Sequence, residues 1–276
     1  MGWHASLKLD YALEAQRCVA RHVHDGPLRV LKSLYPEGDA VCHNVLVHPP
    51  GGLVGGDTLD IQVTVGEGAH GLITTPGAAR FYRSDGERAL QRTTLKLAVN
   101  ARLEWLPLEA LLYSGCLAEN KLVFELAPGA QMLGWDVTSL GLPHAGLAFD
   151  QGSFVQHLEM PGHWLERGVL AAHDTRLLQS PLVLAGNTCV ASLFFASGSN
   201  LERGFREAML DTARCLVAEN ALKATAGATS PGPCMLVLRV LAPQVEPAMA
   251  LLRQVWMAWR TQAWGKPAAL PRIWSM

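Results

Sequence analysis

The sequence predicts a mainly β protein: repeated β-hairpin units forming a solenoid-like or layered body, with two α-helices in its C-terminal half. Three observations predict it. Segments starting at Val63, Leu95 and Phe124 share one pattern, in which two apolar residues flank a polar one, a short turn carries Gly or Asn just before an Ala, and a second apolar run follows. The alanines, Ala69, Ala101 and Ala130, lie 32 and 29 residues apart. A strand, a tight turn and a second strand recurring at that interval imply stacked units that bury one another's apolar faces. Helical spacing, by contrast, appears only after Ser199. Finally, 49% of the residues are hydrophobic and 17% charged, against about 25% charged in a typical soluble domain. That balance implies a large core, a partner-covered surface, or both. The 276 residues read as a single domain, with a β body over about 1–199 and a helical and mixed part over about 200–276 packed on the same body.

Taken in order, the first ten residues contain Lys8 and Asp10 and no apolar run of signal-peptide length, which predicts a cytoplasmic chain. His22 and His24 are two apart and share one face of a strand, read as an exposed polar face. The six cysteines include no C-x-x-C pair and read as reduced, mostly buried thiols. Pro49-Pro50 lead into a loop containing Gly51, Gly52, Gly55 and Gly56 and closed by Asp57. Its glycines lack the order of a dinucleotide-binding loop, but they give the backbone freedom. The loop reads either as a turn in which Asp57 caps its own backbone, or as a carboxylate site with Cys42, His43 and His48 nearby as ligands for a borderline metal. A looser fourth repeat runs from Leu158 to Leu165, with His163 in place of the Ala. Glu104, Glu109, Asp136, Glu159 and Glu166 lie in or beside the repeat strands. A carboxylate buried there is costly unless it is paired, protonated or lining a wet channel, so one pointing inward would be a functional signal.

Residues 177–201 carry no charge, yet Pro181, Gly186, Asn187 and several serines interrupt them. They read as two buried strands joined at Gly186-Asn187 rather than as a membrane span. Leu201 to Ala224 follows as a helix with Asn200 as its N-cap. Residues 224–233 read as a loop and Met235 to Leu241 as a strand. Val245 to Trp264 is a second helix, whose stripe of Met249, Leu252, Val255, Trp256 and Trp259 reads as core.

Function classes fall away by chemistry. A net charge of −1 without a basic run argues against nucleic acid. Neither a phosphate-binding G-x-x-x-x-G-K-[ST] loop nor a zinc-protease or serine-hydrolase signature occurs. A β-rich hydrolase using Asp57 and His48 as an acid/base pair stays as an alternative, although no nucleophile sits beside a base at a recognised spacing.

Five blocks carry a resemblance: Cys42-His43; His48-Pro-Pro-Gly-Gly-Leu-Val-Gly-Gly-Asp57; Thr74-Thr-Pro-Gly-Ala-Ala-Arg-Phe-Tyr-Arg-Ser84; Leu103-Glu-Trp-Leu-Pro-Leu-Glu109; and Gly134-Trp-Asp136 together with Pro271-Arg-Ile-Trp274. In this order, from about residue 26 to the C-terminus, they resemble the UreD family of urease accessory proteins. The resemblance implies a non-catalytic scaffold and metallochaperone with a largely β, helix-flanked fold. It implies UreF as partner and, through it, the GTPase UreG, together with urease apoprotein, and it allows a homodimer within the complex. It further implies no permanently bound cofactor, with Ni²⁺ carried transiently through an internal passage. Matched residue by residue, Asp57 and Glu166 are the acidic candidates for that passage, with Cys42 and His48 as softer ones. Leu108 and Asn44 depart from the family's usual pattern. A purely structural adaptor, with the metal passing elsewhere, is the remaining alternative.

Overall fold

The computed structural model describes residues 2–275. Its strands are β1 (His4–Glu14), β2 (Arg17–Asp25), β3 (Arg29–Val30), β4 (Cys42–Val47), β5 (Thr58–Val65), β6 (His70–Thr74), β7 (Ala79–Phe81), β8 (Ala89–Leu97), β9 (Arg102–Leu106), β10 (Ala110–Leu112), β11 (Cys116–Leu126), β12 (Gln131–Leu140), β13 (Gly152–Met160), β14 (Trp164–Ala171), β15 (Cys189–Ser197), β16 (Ala226–Gly232) and β17 (Met235–Ala242). The helices are α1 (Thr175–Gln179), α2 (Arg203–Ala218) and α3 (Val245–Trp264). Two layers result. The first is a seven-stranded sheet in the order β14-β13-β11-β8-β5-β1-β2. The second is ten-stranded, running β16-β17-β15-β12-β9-β6-β4-β3 with β7 and β10 attached beside β12.

The repeats are the coils that build both layers. The pairs β5/β6, β8/β9 and β11/β12 each give one strand to the first layer and the next to the second, so that like strands stack in parallel. The recurring Gly or Asn before each Ala has a backbone cause. Gly68, Asn100 and Gly129 all have positive φ (66°, 55° and 76°), and the amide of the following Ala bonds back to Gly66, Ala98 or Ala127. This is a tight turn with a left-handed third residue, and Ala127-Pro128-Gly129-Ala130 has the residues a type II turn favours. Ala69, Ala101 and Ala130 are fully buried where the chain enters the second layer.

The fourth copy differs from the reading as a repeat. β13 and β14 pair antiparallel within the first layer, so the chain folds back there instead of crossing. Residues 177–188 are not a strand: Asp174 Oδ1 accepts from the Leu177 amide and starts α1, which ends just before Pro181. Only β15 follows the turn. The cap of α2 is Glu202, whose carboxylate accepts from the Gly204 and Phe205 amides, while Asn200 instead accepts from Cys234 Sγ. α2 stops at Ala218, short of Ala224, and the expected loop over 224–233 contains edge strand β16, hydrogen-bonded to β17. Backbone pairing prevails there over a composition that favours turns.

Two apolar cores follow from two layers and one helical cover. Leu9, Leu95, Phe124, Leu103 and Phe194 fill the space between the sheets. Trp135, Leu193, Leu252, Val255, Trp256 and Trp259 seal α2 and α3 onto the outer face of the second sheet. At roughly 1.5–3 kcal/mol for each fully buried large side chain, this helical stripe is a main source of stability. A buried ionic knot pins it. Arg260 Nε donates to both Glu104 oxygens at 3.0 Å and Nη2 donates to Glu37 at 2.6 Å, while Trp256 Nε1 also donates to Glu104 at 2.8 Å. Burial pushes Glu104 up, but His70 and Arg260 outweigh it and hold the carboxyl below its ordinary range.

Candidate functional site

The second layer is interrupted where prolines occur in three successive coils. β4 gives way to a loop beginning His48-Pro49-Pro50, β6 to Thr75-Pro76-Gly77-Ala78, and β9 to Pro107-Leu108-Glu109. Proline has no N–H to give the ladder, and β12 shows the effect. It pairs with β9 up to Gly134 and with β10 from Thr138, but with neither across Trp135, Asp136 and Val137. Side chains take over the freed groups: Trp135 Nε1 donates to Pro107 O at 2.6 Å, and the Leu108 amide donates to Thr75 Oγ1 at 2.9 Å.

Beneath this gap lies a cavity of about 210 Å³ whose walls include His48, Gly51, Thr93, Asn120 and Asp136. A second cavity, of about 150 Å³, is walled by Asp136, Gln156, Glu166 and Ser192. Asp136 belongs to both. Opposite it, the first layer presents a polar row: Gln91 and Gln156 flank Asn120 in register on β8, β13 and β11. Gln91 Nε2 donates to Asn120 Oδ1 at 3.3 Å, Asn120 Nδ2 donates to Asp136 Oδ2 at 2.9 Å, and Gln156 Nε2 donates to Asp136 Oδ1. Burial pushes the Asp136 carboxyl up to about 6; the Gln156 bond opposes this and the charge of Glu166 adds to it.

Unsatisfied polar atoms gather on the same walls. Among the described residues five buried side-chain polar atoms lack a partner, and three of them, His48 Nε2, Thr93 Oγ1 and Gln156 Oε1, belong to residues lining these cavities. Such orphans are costly in a closed core and call for water or an ion. Burial lowers the His48 pKa below the ordinary value, with Asp57 partly opposing, so the ring is neutral at pH 7 and its free nitrogen can accept. No cysteine lines either cavity. Carboxylate, imidazole, amide and hydroxyl donors without thiolate suit a borderline divalent cation held weakly. Among the described residues no three His, Cys, Asp or Glu side chains gather closely enough to hold a metal ion together.

Of the four metal candidates singled out in the sequence, two lie on these cavities. His48 lines the first cavity and Glu166 the second. Asp57 lines neither. It is 1% exposed, and its two oxygens accept from the Val54 and Trp3 amides at 2.9 and 3.2 Å, so it braces the glycine loop. Gly51 and Gly56 have positive φ, and a side chain at Gly52 would collide with Tyr82 and one at Gly55 with Ser84. Cys42 lies at the far end of β4 from His48, buried, its thiol 3.5 Å from Asn44 Oδ1. Glu109 is half-buried near Glu246 and Arg253. His22 and His24 stack on each other at 6.0 Å on an exposed edge strand. The sequence reading left Asp136 as one carboxylate among five and missed Gln91, Asn120 and Gln156. Their signal was a break in the inward apolar alternation: Cys116, Ala118, Leu122 and Phe124 are interrupted by Asn120, and Phe154, Leu158 and Met160 by Gln156.

Fold and site together define a layered β scaffold with two polar-walled cavities that share Asp136. Residues 4–275 match the family model described as UreD urease accessory protein. The chain is 68% identical to the urease accessory protein UreD of Albidiferax ferrireducens and 65% identical to that of Polaromonas naphthalenivorans, covering 100% of each protein in both cases. It is 50% identical to that of Methylibium petroleiphilum, covering 99% of each. The chain belongs to the UreD family of urease accessory proteins. No helix among the described residues is long and apolar enough to cross a membrane.

Proposed function

We propose that this chain serves urease maturation as a non-catalytic scaffold that carries Ni²⁺ as cargo through the passage centred on Asp136. One observation carries the reading: a half-buried carboxylate on the wall shared by two cavities, facing a polar row, with orphaned polar atoms on the same walls. A cation travelling this way meets His48, then Asp136, then Glu166. It meets them mostly one at a time, which favours release over retention. Asp57 serves the route indirectly, by bracing the loop that carries the way in past His48. The chain works in the cytoplasm and bridges urease apoprotein to UreF and, through it, to the GTPase UreG, which supplies the nucleotide chemistry that this sequence lacks a loop for.

Asp136→Asn tests this in a complete maturation system. Partner proteins should co-purify with the variant as with the unaltered chain, while nickel per urease, measured by atomic absorption, should fall severalfold. Full nickel loading through the Asn variant would defeat the passage and leave a structural adaptor.

A further inference from the structure

We propose that Arg239 is the gate of the second cavity, holding the Glu166 carboxylate so that a divalent cation passes only when the guanidinium is withdrawn. This rests on the passage reading above and names the residue that regulates it.

Glu166 sits on β14, the edge strand of the first layer, and Arg239 on β17 in the second. Arg239 Nε donates to Glu166 Oε2 at 3.0 Å, and Nη2 donates to the same oxygen. The pair therefore ties the two layers together beside the second cavity: Glu166 lines it with Asp136 and Arg167, and Arg239 holds the Glu166 carboxylate from outside that lining. An arginine carries its charge at every physiological pH. While it stays in place, one oxygen of the Glu166 carboxylate is taken and a positive charge stands beside any cation that the carboxylate would hold. Opening is cheap. The Arg239 side chain is 51% exposed and Glu166 29%, Glu166 is its one polar partner among the described residues, and exposed pairs of this kind contribute little to stability.

The other mouth is built differently. Arg80 lines the first cavity, but its Nη1 donates to the Gly51 carbonyl at 3.3 Å and leaves the carboxylates of the passage unpaired. The gate is thus at one end only, beyond Asp136 as seen from the proline loops.

The test is Ni²⁺ binding to the full chain, measured by equilibrium dialysis against nickel chloride, with folding checked by circular dichroism. Arg239→Gln should bind Ni²⁺ about two- to fivefold more tightly, because a like charge is removed and a carboxylate freed, at the scale of a half-exposed pair. Arg239→Ser should do the same should the Gln variant fold poorly. Arg239→Lys keeps the charge and should stay near the unaltered chain. Adding Asp136→Asn to Arg239→Gln should remove the gain. The gate is overturned by unchanged or weaker binding in both neutral variants, or by a Lys variant that gains as much as Gln. Weaker binding in Asp136→Asn alone would then still uphold the passage. Binding insensitive to Asp136→Asn in both backgrounds would bring down passage and gate together.

Discussion

The two layers are made by the same coils yet meet different fates on their outer faces. The first sheet is bare outside, with Glu119, Lys121, Arg92 and Lys96 standing on strands whose alternate residues are buried. The second is covered by α2 and α3 and is broken by three proline loops. Strength and opening therefore belong to the same layer. The helices compensate for ladder lost at Pro107, with Trp135 and Trp274 filling the break: Trp274 Nε1 donates to Thr74 Oγ1 at 2.7 Å and its ring lies 5.4 Å from that of Trp135. The intact sheet contributes the polar row, and the interrupted one contributes Asp136 and the proline loops that wall the first cavity.

Three substitutions probe this contrast. The largest effect belongs under the helices. Arg260→Leu leaves Glu104 and Glu37 buried without their cation and should cost about 3–5 kcal/mol, read as a lower urea midpoint at unchanged slope. A loss below about 1 kcal/mol would mean that the knot does not hold the helical cover.

Next comes the interior. The Asp136 carboxyl titrates near 6 in the folded chain and near 3.9 when unfolded, so the folded state holds its proton more tightly between those values. The stability from this group is complete below about pH 4 and is lost as pH rises through 6. Asp136→Asn removes that loss and should stabilise the chain at pH 7.5 by up to about 3 kcal/mol. The gain is reduced by whatever the new amide loses in facing the amide donors of Gln156 and Asn120. Urea titrations at pH 4.5 and 7.5 should show the advantage growing with pH, and equal advantage at both would remove Asp136 as its source. Smallest is Lys121→Ala on the bare face, expected to change stability by less than about 0.5 kcal/mol. A larger loss would show that this face is not passive.

Much of this was legible from sequence because it is local. The turns at Gly68, Asn100 and Gly129 announce themselves, since few residues accept positive φ, and α3 reads correctly from its apolar stripe over Val245–Trp264. The errors have tertiary causes. β16 has a turn-former's composition, yet β17 recruits it at a sheet edge. Asn200 and Glu202 are both acceptable caps, and only the path of the chain decides between them. For the site, His48 and Glu166 were within reach as residue types, whereas Asp136 required knowing that Asn120 and Gln156 face it from another sheet. Asp57 looked like a ligand because an acid after glycines fits both a ligand and a brace. The Val54 amide realises the reading in which Asp57 caps its own loop, and only the Trp3 amide, which comes from outside the loop, could not be read from the sequence.

The register of the polar row carries a consequence for the order in which the interior forms. Gln91, Asn120 and Gln156 are separated by 29 and 36 residues, one from each of three consecutive turns of the coil. No fragment ending before β13 holds all three, and Asp136 cannot be walled on both sides until β14 has folded back. During synthesis the framework can thus begin to stack coil by coil from the N-terminus, while the polar cluster around Asp136 is completed only when the last first-layer strands arrive.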